Sequence, residues 1–389
     1  MKKISFKKII GQLHLWLGLA SGLVVFVVAI TGAIWAFESE ISDIIHDYRT
    51  VKVENKSPLP PTKLKQSASK YFAGKPIQSI DYQGNNRSVM LRHWSESNGK
   101  EERIIAYLNP YSGEVLHVQT NHDFFDVIIE LHVNLMMGDI GRYIVDFATL
   151  FFLILLISGI VLWWPKNKAA VKQRYKFDWK INTKWKRKNY DLHNILGFYA
   201  SWVAIFISIT GLAWGFEWVN KSIYFTATLG AEYKEYLEPK SLSNPNQVIA
   251  NDLEDRIYHQ SIERYGKPFE TLSMYQADKP NGAYAVYIND SRKTYYDADS
   301  YFFDKRTGQF IAEELFEKMN NGQKARSMYY DIHIGKIWGL PGQFLVFFAS
   351  LIVASLPITG FYIWWGRRSK EKKSGFKVKK QNEQVNHVC

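Results

Sequence analysis

The chain has 389 residues, of which 47% are hydrophobic, 15% aromatic and 22% charged, with a net charge of +12. Much of that hydrophobicity sits in four uncharged runs near or above the length that crosses a bilayer, which excludes a soluble cytosolic enzyme and a disordered chain. The single cysteine, Cys389, excludes a disulfide framework, a cysteine zinc site, an iron–sulfur cluster and a covalently attached CxxCH haem.

The elements follow in chain order. Residues 1–13 carry Lys2, Lys3, Lys7 and Lys8. Residues 14–37 form the first predicted span, with 23 uncharged residues from Leu15 to Phe37. It is too long for a signal-peptide core, and Glu38 and Glu40 follow it in place of a small-residue cleavage site, so it reads as an uncleaved anchor. Residues 38–130 form a polar segment that Pro58, Pro60 and Pro61 introduce. Its pattern predicts a helix over Thr62–Phe72 and strands over Ser88–Arg92 and Arg103–Leu108. Residues 131–164 contain His132 and the second span, uncharged over the 18 residues from Phe147 to Trp164.

The second half repeats the order. The linker 165–192 holds ten basic residues against Asp178 and Asp191. Residues 193–217 form the third span, uncharged over the 22 residues Ile195–Phe216. Residues 218–331 form a second polar segment, with Pro239 and Pro245 early in it. A helix is predicted over Asn246–Tyr265 and strands over Ala283–Ile288 and Tyr295–Phe303. Residues 332–366 contain His333 and the fourth span, uncharged over the 30 residues Ile337–Gly366, and 367–389 form a basic tail. Trp35, Trp163, Trp164, Trp214, Trp218, Trp364 and Trp365 fall at span ends, where an interfacial aromatic belt is expected.

Charge placement gives the orientation. The N-terminal segment, the linker and the tail together hold 22 basic and 4 acidic residues, and the rest of the chain holds 27 basic and 33 acidic. Short basic segments beside spans stay in the cytoplasm. Both termini and the linker are therefore expected inside, and the two polar segments outside. This placement accounts for the whole basic excess, so nucleic acid is not expected as a partner, while the lipid bilayer is.

The chain reads as two copies of one unit. His14-Leu-Trp-Leu-Gly18 matches His193-Asn-Ile-Leu-Gly197, and Leu131-His132 before Gly138-Asp-Ile-Gly141 matches Ile332-His333 before Gly339-Leu-Pro-Gly342. The turn Asn109-Pro-Tyr-Ser-Gly113 matches Asp304-Lys-Arg-Thr-Gly308, each between short apolar runs, hence a hairpin. The expected fold is an α-helical polytopic membrane protein with four transmembrane helices in two parallel repeats and two small α+β extracytoplasmic domains. All four spans carry Ile-[Ser/Thr]-Gly. Its glycine lets a backbone or a flat ligand approach closely, and plain helix packing explains it equally well.

Ten histidines occur, and four hold repeat-related sites. His14 and His193 open spans one and three on the cytoplasmic side, and His132 and His333 lie just before spans two and four on the other. An ionisable residue at the membrane is costly and marks a functional site by default. Imidazole is a usual axial ligand of haem iron, so His14 with His193 and His132 with His333 are candidates to hold two non-covalent bis-histidine haem b groups. Zinc is the rival occupant, for which Asp139 or Asp331 would have to complete the outer pair. Arg142 and Lys336 are candidate propionate contacts or interfacial anchors. His46, His93, His117, His122, His259 and His387 read as surface residues, with His117 or His122 the nearest candidates to join the outer site.

These residues resemble the PepSY-associated transmembrane family, iron-regulated inner-membrane proteins that include ferric-siderophore reductases. The resemblance runs from His14 to Trp365 and rests on Leu-His-x-x-x-Gly, Thr-Gly-x-x-Trp-x-x-Glu, Leu-His with Gly-x-x-Gly, and the hairpin turn. It implies two PepSY-type periplasmic modules, a di-haem b core ligated by His14, His132, His193 and His333, and a bacterial inner membrane. It also implies electron delivery to a ferric siderophore or other ferric chelate in the periplasm. The second hairpin lacks the usual proline. No fused flavin or nucleotide domain is visible, so the donor is expected to be separate, a quinol or a cytoplasmic reductase. Two other readings stand beside this ferric reductase. One is a non-enzymatic anchored PepSY module that binds or restrains a protease. The other is a transporter, disfavoured because Glu38, Asp146 and Glu217 sit only at span edges.

Overall fold

The computed structural model describes residues 5–97, 100–165, 171, 174–235, 239–241, 250–276 and 281–385. Part of the basic linker (166–170 and 172–173), Lys2, Lys3, Pro245, the expected helix start at 246–249 and His387 lie outside the described residues. In order, the helices are α1 (Phe6–Trp35), α2 (Glu38–Ile45) and α3 (Pro61–Phe72). Strands β1 (Ser79–Tyr82), β2 (Val89–Ser97), β3 (Lys100–Leu108) and β4 (Val115–Gln119) follow, then α4 (Phe124–Asn134) and α5 (Gly138–Trp163). Next come α6 (Trp185–Asp191), a π-helical turn (Leu192–Leu196), α7 (Gly197–Gly215), α8 (Glu217–Ala227) and α9 (Leu253–Tyr265). Strands β5 (Thr271–Gln276), β6 (Tyr284–Asn289), β7 (Asp299–Phe303) and β8 (Phe310–Glu314) precede α10 (Asn321–Ser327), α11 (Tyr329–Ile334) and α12 (Gly339–Val385).

The chain divides into two compact units. The helical unit comprises residues 1–36, 127–219 and 332–389, and the sheet unit 37–126 and 220–331. Four stretches of the helical unit are long and apolar enough to cross a membrane: Phe6–Trp35, Gly138–Trp163, Trp185–Gly215 and Lys336–Arg368. The chain is therefore a polytopic membrane protein. Its helices are apolar all round because lipid accepts apolar side chains on the outside as readily as the bundle does inside. Close packing then needs small residues. Helix α1 packs on α5 and α12, and α7 packs on the same two. Ala200, Ala204, Val25, Val353 and Leu156 form the centre.

In the sheet unit the two polar segments share one antiparallel sheet of eight strands, in the order β4-β3-β2-β1-β5-β6-β7-β8. Each segment supplies a four-stranded meander, and β1 joins β5 with Ile80 opposite Met274. Two stand-alone modules would leave β1 and β5 as exposed edges with unpaired N–H and C=O groups, and pairing them removes both edges. Helices α3 and α9 cover one face, where Leu64, Phe72, Ile257, Leu272, Val286 and Phe303 are buried. On the buried strand β1, Asp81 is matched by Ser79 at 3.0 Å, Tyr275 at 3.0 Å and Arg92 at 3.1 Å.

The two hairpin turns use the same device with different residues. Asn109 Oδ1 accepts from the amides of Tyr111 (2.8 Å) and Ser112 (3.3 Å), while Asp304 Oδ1 accepts from those of Arg306 (3.0 Å) and Thr307 (2.9 Å). Gly113 and Gly308 close them at φ +74° and +69°, a conformation that favours glycine. The missing proline at Lys305 is thus immaterial, because the side chain of the first turn residue holds the turn. Asp304→Ala strands two amides, and we expect it to destabilise the sheet unit by about 1–3 kcal/mol, read as a lower thermal midpoint of the detergent-solubilised protein.

Candidate functional site

The four repeat-related histidines share one local arrangement. His14 on α1 places Nδ1 2.9 Å from Ser158 Oγ on α5. His193, in the π-helical turn, places Nδ1 2.9 Å from Thr359 Oγ1 on α12. His132 on α4 lies 3.2 Å from Thr31 Oγ1 and 2.9 Å from the Val28 carbonyl on α1. His333 on α11 lies 2.9 Å from Thr210 Oγ1 on α7.

That arrangement determines the tautomer. Each hydroxyl already donates into its own helix: Thr31 to Val27 (2.8 Å), Ser158 to Leu155 (3.1 Å), Thr210 to Phe206 (2.9 Å) and Thr359 to Ser355 (3.0 Å). Its remaining capacity is to accept, so with the hydroxyl proton given to its own helix the ring proton belongs on Nδ1, and the Val28 carbonyl imposes the same on His132. The Nε2 lone pair is left available, which is the state a metal requires.

The glycine of Ile-[Ser/Thr]-Gly makes room for the ring. A Cβ at Gly32 would lie 2.8 Å from His132 Cε1, and one at Gly360, Gly211 or Gly159 would lie 3.2, 3.3 or 3.4 Å from Cε1 of His193, His333 or His14. The motif therefore holds an imidazole: its hydroxyl binds the ring and its glycine clears the space. Asn189 steadies the same corner by donating to the Thr359 carbonyl at 3.0 Å.

The rings meet in two pairs. The centres of His14 and His193 are 6.4 Å apart, with planes at 88°. Those of His132 and His333 are 6.0 Å apart, at 75°. An imidazole nitrogen sits about 2.0 Å from a metal it binds and about 1.1 Å from its own ring centre, so two rings on opposite sides of one ion have centres about 6.2 Å apart. The separations of both pairs, 6.4 and 6.0 Å, are close to that spacing. Thr31 lies seventeen positions after His14, which puts the two levels on the order of 25 Å apart along α1. His193 and Thr210 have the same spacing.

A cavity of about 550 Å3 opens at the His14–His193 level, within the size range of cofactor sites. Gly18, Gly22, Gly159 and Gly360 line it with Phe152, Trp163 and Leu356, so much of its wall is apolar, with Gln12, Asn194 and Ser201 among its polar residues. Among the described residues no cluster of three or more His, Cys, Asp and Glu side chains forms, so a zinc site would lack ligands. Asp139 is exposed, and Asp331 accepts the amides of Tyr295 (2.8 Å) and Tyr296 (2.7 Å).

The remaining expected site residues are placed as follows. Arg142 donates to the Trp214 carbonyl at 3.3 Å and pairs with Asp146 at 3.6 Å, capping the end of α7. Gln343 does the same for α1, donating to the Ala36 carbonyl at 2.8 Å. Lys336 is buried. Trp214 packs edge-on against His333 at 5.2 Å, and Trp163 is buried flat on Phe198 at 3.7 Å, so neither is merely an interfacial anchor. His93 is buried rather than at the surface and donates from Nδ1 to the Pro76 carbonyl at 2.8 Å. His46 and His117 both stack on Tyr48, at 5.1 and 4.1 Å. Burial, with Tyr107 alongside, pushes the Tyr48 phenol up to about 12, so it stays neutral at physiological pH.

Sequence reasoning paired the histidines through the repeat but left the role of Ser/Thr-Gly open. The signal was its recurrence in step with the histidines: His132 and Ser158 are twenty-six residues apart, as are His333 and Thr359. We predict that Gly32→Val destabilises the protein by about 1–3 kcal/mol through overpacking against His132, whereas Gly159→Ala, with its looser 3.4 Å contact, stays near wild type. Thermal melts of the two variants check this.

The family model described as the PepSY-associated TM region matches residues 12–367. No curated protein matches the chain.

Proposed function

The chain belongs to the PepSY-associated TM family, and we propose that it is a di-haem membrane oxidoreductase that reduces a ferric chelate, above all a ferric siderophore, in the periplasm. The observation that carries this reading is the fourfold imidazole arrangement with its two facing pairs at 6.4 and 6.0 Å. Two non-covalent b haems, one per pair, would supply one-electron transfer between the two sides of a bacterial inner membrane. His14 and His193 would hold the cytoplasmic one, and His132 and His333 the periplasmic one. Held by two histidines each, such groups would supply electron transfer rather than oxygen activation.

The chain's own residues do the rest. Ser158, Thr31, Thr359 and Thr210 hold each ring in one tautomer and raise its basicity as a ligand. Val25, Leu156, Ala200, Ala204 and Val353 keep the centre of the bundle apolar between the two levels. With both termini inside, the sheet unit, read as two PepSY-type modules sharing one sheet, faces the periplasm and the chelate. Oxygen-donor chelators suit hard Fe(III), and Fe(II) is bound more weakly, so adding one electron releases the metal without hydrolysing the chelator. The donor is a separate quinol or cytoplasmic reductase.

An optical spectrum of detergent-purified protein, oxidised and dithionite-reduced, with a pyridine haemochrome count, tests the reading. Two low-spin b haems per chain are expected. His333→Ala and His14→Ala should each leave one, and Thr210→Val should weaken retention of one haem by roughly 10–100-fold. Reduced protein should be reoxidised by a ferric siderophore. Folded, haem-supplied protein without haem would sink the reading and leave an anchored PepSY binding module in its place.

A further inference from the structure

The cavity at the His14–His193 level carries a charge pattern that the histidines do not explain. Lys7, Lys8 and Arg367 stand among its lining residues, and among the described residues no carboxylate lines it. Lys7 is engaged in helix capping, since its Nζ donates to the Trp164 carbonyl at 3.0 Å, at the C-terminal end of α5. Lys8 and Arg367 are exposed and belong to different helices. Lys8 precedes His14 by six residues on α1, and Arg367 follows Gly360, the glycine against the His193 ring, by seven on α12. On an α-helix those offsets are rises of about 9 and 10 Å. Both cations therefore stand at comparable distances from the histidine level and converge on the same cavity. A largely apolar chamber with a cationic rim and, among the described residues, no lining carboxylate suits a ligand with a flat apolar body and a dianionic edge.

We propose that Lys8 and Arg367 seat the two carboxylates of a planar tetrapyrrole whose centre lies between His14 and His193. The inference rests on the haem reading and adds to it the orientation of the ligand. Such an orientation keeps the carboxylates at the water-facing rim, where they need not be desolvated, and buries only the apolar ring. The first turn of α1, which contains Lys8, adds the positive end of its helix dipole. Arginine and lysine at a carboxylate make charge-assisted hydrogen bonds, stronger than neutral ones. If the rim cations served only to anchor the chain beside lipid headgroups, they would be indifferent to the occupant of the cavity, and this difference is measurable.

The experiment uses the full-length His333→Ala protein, in which the haem between His14 and His193 is the one expected to remain. Loss of that haem to excess apomyoglobin is followed by absorbance. In K8Q/R367Q the loss should be roughly tenfold faster or more, in K8Q or R367Q intermediate, and in K8R/R367K close to the parent. The midpoint potential of the same haem should fall in K8Q/R367Q, because removing cations disfavours the added electron. Parental loss kinetics and potential in K8Q/R367Q, with both cations gone, would overturn the assignment. Should that double variant not fold, the two single variants decide by the same criteria. Failure of the haem reading itself is distinguishable, since wild-type protein would then carry no haem before any rim residue is changed.

Discussion

The helical unit is organised by one repeated interaction: an imidazole Nδ1–H directed at a Ser or Thr hydroxyl on the neighbouring helix. Inside a bilayer no water competes for these groups, so each histidine needs a partner within the protein. The Ser/Thr hydroxyl, already donating to its own helix, can only accept, and the ring is held in one tautomer and one orientation. α1 supplies His14 at one level and the acceptor Thr31 at the other, and the π-helical turn with α7 supplies His193 and Thr210, so the same bond ties α1 to α5 and the turn to α12 at one level, and α4 to α1 and α11 to α7 at the other. The glycine next to each acceptor follows from it, because a ring held that close leaves little room for a Cβ.

Lipid imposes the second constraint. Apolar burial gives little drive for helix association when the surroundings are equally apolar, so the bundle relies on small residues, capped helix ends and the histidine bonds. Arg142 and Gln343 show capping achieved in two ways. Both donate to the last carbonyls of a facing helix. The arginine brings a charge into the membrane edge and with it Asp146 as a partner, whereas the glutamine needs none. The ionisable pair at that position is thus explained by helix capping.

The sheet unit answers to water instead, and there the governing constraint is the unpaired edge. Two four-stranded meanders, each with one helix to cover its apolar face, become one sheet by pairing β1 with β5. The helix-covered face is a conventional apolar core. Asp81, on the joining strand, is buried but matched by serine, tyrosine and arginine, which is the condition under which a buried carboxylate is tolerated.

Sequence alone determined the four spans, since uncharged length is set by bilayer thickness and needs no tertiary information. It also determined which histidines correspond, because the repeat aligns His14 with His193 and His132 with His333, and placed several strands and helices of the polar segments within a few residues. Tertiary structure alone decided what Ile-[Ser/Thr]-Gly does, that Arg142 caps a helix, that Trp163 is buried, that His193 sits in a π-helical turn and that the two meanders share a sheet. Each of these depends on which residue stands opposite across a helix or strand interface. Periodicity along one chain reports the environment of a face, apolar or polar, but carries no record of the partner that meets it. Only the assembled bundle and sheet determine that partner.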